Sequence, residues 1–98
     1  MRKGLVNIAM EKGDISLTKG FRKFSYEDIS KKEAFVLRNI DLTVLGKEVS
    51  VHINEDISDE YDVIMVYREG IGILARVYKR NLSAVQVLRE IYQKVRGY

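Results

Sequence analysis

Residues 40–53 read IDLTVLGKEVSVHI, and this stretch decides the fold. Ile40, Leu42 and Val44 alternate with Asp41 and Thr43, and Val49, Val51 and Ile53 alternate with Glu48, Ser50 and His52. Strand side chains point to opposite faces in turn, so each arm carries one apolar face and one wet face. Gly46-Lys47 between the arms suits a two-residue type II′ turn, which takes glycine first. The stretch is therefore an antiparallel hairpin that needs cover on one side only.

Toward the C-terminus, residues 54–62 are polar and acidic and read as a connection. Val63 to Tyr67 is an unbroken apolar and aromatic run, the pattern of a central strand covered on both faces. Arg68-Glu69-Gly70 turns the chain, and Ile71 to Tyr78 returns as the partner strand. A helix follows. Ser83 and Gln86 have capping-box spacing, with Asn81 as a rival cap. Ala84, Val85, Val87, Leu88, Ile91, Tyr92 and Val95 fall within one arc of the helical wheel. Lys94 and Arg96 sit in the last turn, where the helix dipole favours cations, and Gly97 ends it.

Toward the N-terminus, Leu5 to Met10 alternates with Val6, Ile8 and Met10 on one side. Lys12-Gly13 marks a turn, and Ile15 and Leu17 continue a second strand, so this end also reads as a hairpin. Two helix-start signals overlap in the middle: Ser25 with Asp28, and Ser30 with Glu33. The second is a full capping box and supports a short helix over 30–38. Ala34 to Leu37 are consecutive apolar residues, which fits an early strand equally well. The expected fold is a single α+β domain over residues 1–98. It has an antiparallel sheet of about six strands in hairpins, a short middle helix in one of these two readings, and a C-terminal amphipathic helix packed on the sheet.

The chain has no cysteine, which excludes disulfides and thiolate metal sites. So small a domain without disulfides points to a reducing interior, here the cytoplasm. No apolar stretch approaches the roughly 20 residues of a membrane span, and the polar Asn7 interrupts the only stretch resembling a signal peptide. Asn and Gln total six while Lys, Arg and Glu are plentiful, a usage that leans toward thermophilic proteins.

The formal charge is +3, but it is segregated. Residues 1–38 carry nine Lys/Arg against five Asp/Glu, residues 39–75 two against eight, and residues 76–98 six against one. Basic ends thus flank an acidic middle. They either neutralise one another, within or between chains, or meet in space as a basic face for nucleic acid.

The most suggestive stretch is Lys19-Gly20-Phe21-Arg22-Lys23-Phe24-Ser25-Tyr26. Rings at Phe21 and Phe24 could stack on bases of DNA or RNA, with Lys19, Arg22, Lys23, Lys79 and Arg80 meeting phosphates. The opposing reading makes the two phenylalanines core anchors and the cations plain surface. Glu55, Asp56, Asp59, Glu60 and Asp62 form an acidic cluster without the spacing of a calcium loop. His52 is the sole histidine and alternates onto the wet face of its strand. No P-loop, no HExxH and no Ser-His-Asp arrangement is present, and Gly70-Ile71-Gly72 lies between strands rather than opening a helix.

These features point away from an enzyme and from any cofactor or metal. Six strands span about 25–30 Å, which one helix about 10 Å across does not cover, so either the sheet curls into a barrel-like form or a second copy supplies the missing layer, the copy being the expectation. The expected function is therefore a non-enzymatic homodimeric structural or interaction protein, with a small basic nucleic-acid-binding module as the alternative.

Overall fold

A computed structural model describes residues 4–17, 25–54, 61–68, 74–79 and 82–97, with 54, 61–68 and 74–79 described through their backbone. The elements are α1 (Leu5–Lys12), β1 (Ile15–Leu17), α2 (Tyr26–Ser30), a 3-10 turn (Ala34–Leu37), β2 (Ile40–Val44), β3 (Lys47–Asn54), β4 (Tyr61–Arg68), β5 (Leu74–Lys79) and α3 (Ala84–Arg96). The α+β class and the antiparallel sheet agree with the sequence reading. The sheet has five strands in the order β1-β2-β3-β4-β5, rather than six.

The missing strand is the N-terminal one, which is helix α1. Five of the six residues from Leu5 to Met10 are apolar, so they satisfy a period of two and a helical period alike. The helical face wins: Val6 and Ala9 are buried, Leu5 and Met10 pack partly against the core, and Ile8 is exposed. Gly13, at φ 81°, ends α1 in the left-handed conformation that glycine adopts without strain. The Asp14 amide donates to the Ala9 carbonyl at 2.8 Å and the Gly13 amide to Met10 at 3.2 Å. That pair of bonds is a Schellman helix stop, where a strand-to-strand turn was expected. Strand β1 consequently pairs with β2, in the register Ile15↔Val44 and Leu17↔Leu42.

The middle helix starts at the first of its two signals. Ser25 caps α2, accepting from the Asp28 amide at 3.1 Å. Ser30 instead lies in the last turn of α2, where its hydroxyl donates back to the Glu27 carbonyl at 2.9 Å. A helix over 30–38 does not form. The four consecutive apolar residues 34–37 take a 3-10 turn that buries Ala34 and Leu37 and leaves Phe35 exposed. The stretch is held by the start of α3: the Ala34 amide donates to the Leu82 carbonyl at 2.8 Å and the Ala84 amide to the Lys32 carbonyl at 3.0 Å.

The hairpin over 40–53 forms, but with a different turn. Val44 pairs with Lys47, so the two turn residues are Leu45 and Gly46. Their φ values are 51° and 81°, both positive as a type I′ turn requires, in place of the expected type II′ turn at Gly46-Lys47.

Helix α3 agrees with the sequence reading. The Gln86 amide donates to Ser83 Oγ at 3.2 Å, and the Ser83 amide donates to Gln86 Oε1 at 2.9 Å, completing the capping box. Ala84, Val87, Leu88, Ile91, Tyr92 and Val95 are buried in the same cluster as Ile40, Leu42, Val44, Val49, Val51 and Ile53. Residues of α1, α2 and the 3-10 turn join that cluster. The described helices therefore lie against one side of the sheet, its inner face. The shortfall of cover expected from a lone C-terminal helix is met there by α1 and α2.

Candidate interaction surface

The opposite, outer face is built by the registers. Residues directly paired across antiparallel strands share a face. Asp41 pairs with Ser50 and Thr43 with Glu48, both away from the core. The Ser50 hydroxyl donates to Asp41 Oδ1 at 3.0 Å. His52 is exposed on the same face, and its Nδ1 lies 3.2 Å from Asn39 Oδ1, across from β3. Asn39 precedes β2 in the left-handed region, at φ 57°, a conformation that asparagine tolerates better than most residues. On the β1–β3 side the outer face is thus polar, and its hydrogen-bonding groups pair from strand to strand.

Ser50, His52 and Asp41 share this face but are not connected as a nucleophile, base and orienting acid. The Ser50 hydroxyl gives its hydrogen bond to the carboxylate, and the imidazole is engaged by an amide. The structure shows a pair of cross-strand hydrogen bonds there, not a proton relay.

The face changes character at β4. Ser50 pairs with Arg68, His52 with Val66 and Asn54 with Ile64. Val66 then pairs with Ala75 and Ile64 with Val77 on β5. The register therefore places Ile64, Val66, Ala75 and Val77 together on the outer face, and Val63, Met65 and Tyr67 on the inner one. The sequence reading expects cover on both faces of the run from Val63 to Tyr67; the described helices lie on the inner side of the sheet. Among the described residues no helix lies over the outer block. Alternation in the sequence puts Ala75 and Val77 on one face of their strand, and the register adds Ile64 and Val66 to them.

On the inner side, a cavity of about 270 Å³ opens between the helices and the sheet, lined by Met10, Ile15, Leu17, Ile29, Leu42 and Leu88 among others. Ser16 is its one polar lining residue among those described. Among the described residues no cluster of three His, Asp or Glu side chains is placed to hold a metal ion. No described helix is long and apolar enough to cross a membrane.

Of the residues proposed from sequence to meet nucleic acid, Lys19, Phe21, Arg22, Lys23, Phe24 and Arg80 lie outside the described residues. Lys79 is the last residue of β5, paired with Tyr61. The acidic residues Glu55, Asp56, Asp59 and Glu60 also lie outside the described residues, as do Gly70, Gly72 and Asn81, while Asp62 falls within β4.

No family model, curated protein or solved structure matches the chain.

Proposed function

We propose that this protein is a non-enzymatic interaction protein that works as a homodimer. The observation that carries the reading is the strand register, which groups the apolar residues Ile64, Val66, Ala75 and Val77 on the face of the sheet opposite the described helices. An apolar group on a sheet face opposite the helices is a natural place for a second layer to pack. Twofold homodimers are the commonest way to supply one. Segregated charge supports the same reading, because a chain with an acidic middle and a basic C-terminal segment has complementary potentials to offer its own copy.

Sedimentation velocity at micromolar concentration tests it. The expected result is a species of twice the 11.3 kDa chain mass. A well-folded monomer at that concentration would be fatal to the proposal. The alternative, a small basic module for DNA or RNA, draws on the sequence pI of about 9.2 and on the Lys19 to Tyr26 stretch. It would take over if labelled single-stranded RNA or DNA bound a monomer with an affinity falling steeply with salt.

A further inference from the structure

We infer that the cavity between the helices and the sheet is a binding site for a compact, uncharged, hydrocarbon-like molecule, of the size of one aromatic ring with a short alkyl chain. The site goes beyond the homodimer reading and does not depend on it.

The cavity sits where the core elements converge. Ile29 of α2, Leu37 of the 3-10 turn, Leu42 of β2 and Leu88 of α3 belong to the buried core and also line the cavity, so they form its floor. Met10, near the end of α1, and Leu17, at the end of β1, line it too and are only partly buried. These two mark the mouth. β1 is an edge strand, so the mouth lies at that edge of the sheet and not under its middle. Methionine is unbranched and flexible, which lets a mouth bordered by Met10 adapt to what enters.

The volume argues for an occupant. Protein interiors are packed as densely as organic crystals, and the few voids they keep are seldom larger than a water molecule. This cavity measures about 270 Å³. A cavity of about 150 Å³ walled by leucine, isoleucine and phenylalanine stays dry and takes benzene. The space here therefore holds a ring and leaves room for a short chain. A void costs stability in step with its volume, because the side chains around it lose contacts on one side. A molecule that fills it restores those contacts and stabilises the folded chain by mass action.

The lining selects the chemistry. Every described lining residue except Ser16 is aliphatic or methionine, and none is charged. Ser16 is exposed and pairs with Thr43, which puts its side chain on the outer face of the sheet. A charged group drawn inside would lose its hydration with no described side chain to replace it. The fitting ligand is apolar and neutral.

The test uses the full chain, with butylbenzene as the probe and benzoate as its charged counterpart. Thermal unfolding by calorimetry and a methyl NMR titration are followed together. Butylbenzene should raise Tm by a few degrees near saturation, and its shifts should concentrate on the methyls of Ile29, Leu42 and Leu88. Leu17→Phe sets a ring in the mouth and should weaken the binding at least about tenfold. Benzoate at the same concentration should leave those methyls in place. The site is overturned if butylbenzene leaves Tm unchanged, if it moves methyls outside the lining instead, if Leu17→Phe binds it as well as the wild type, or if benzoate binds equally. Should Leu17→Phe not fold, the methyl map of the wild type decides alone.

Discussion

The Leu45 amide donates to the carbonyl of Asp14 at 2.7 Å, tying the tip of the β2–β3 hairpin to the residue that leaves helix α1. This bond selects the turn. Leu45-Gly46 and Gly46-Lys47 differ by a two-residue slip, and such a slip keeps every apolar residue of both strands on the same face. Hydrophobic patterning therefore permits either turn, and the contact with Asp14, together with the pairing of Ile15 to Val44, favours the one observed.

The selected turn holds a leucine at φ 51°, with its side chain exposed. A left-handed conformation costs an ordinary L-residue roughly 1–2 kcal/mol, and asparagine bears it best among non-glycine residues. Leu45→Asn should stabilise the fold by roughly 0.5–1.5 kcal/mol, a rise of several degrees in Tm by differential scanning calorimetry. Gly46→Ala, at φ 81°, should lower stability by about 1 kcal/mol.

Serine substitutions separate the competing helix starts. Ser83→Ala removes the hydroxyl that accepts from the Gln86 amide, leaves the bond from the Ser83 amide to Gln86 Oε1 in place, and should cost about 1 kcal/mol in urea unfolding. Ser25→Ala should cost somewhat less, since it removes a single cap from a five-residue helix. Ser30→Ala should be nearly neutral, because its hydroxyl bonds back to a carbonyl within the helix. A loss at Ser30 larger than at Ser25 would contradict this assignment.

Helix α1 makes opposite predictions to a strand at the same residues. Ala9 is 1% exposed and Ile8 39% exposed. Ala9→Leu should overpack the core and cost about 1–3 kcal/mol, while Ile8→Lys should stay within about 0.5 kcal/mol of the wild type. A strand with Ile8 inward and Ala9 outward predicts the reverse order of denaturation midpoints.

Ile91 lies fully buried at the centre of the α3 face, against the sheet and the other helices. Ile91→Ala should cost about 2–5 kcal/mol through lost transfer energy and the cavity left behind. That is a large part of the stability of a domain this size. Arg89→Ala, on the exposed side of the same helix, should move the chemical midpoint by less than about 0.5 kcal/mol.

Legibility in the sequence followed how local the deciding interaction is. Helix α3 was readable to its cap because Ser83 and Gln86 bond within one turn and the apolar arc repeats over three turns. Strand β2 was readable to its ends because Asp41 and Thr43 interrupt the apolar residues at every second place. The N-terminal segment was not, since LVNIAM satisfies both periods and only the Schellman bonds after Ala9 and burial against α3 favour the helix. The candidate surface was half readable. The wet face of β2 and β3 and the shared face of Ala75 and Val77 follow from alternation, but which residues of β4 join them does not, because Val63 to Tyr67 is apolar at every position.

By itself, the sequence determined the class of the fold, the hairpin over 40–53, the capped amphipathic helix and the separation of charge. Each of these depends on residues within a few places of one another. Only the tertiary structure decided that residues 5–12 turn their apolar face to α3, which tip the central hairpin uses, and which residues of β4 share a face with those of β5. Those choices rest on contacts between residues far apart in the chain, whose energies no local pattern records.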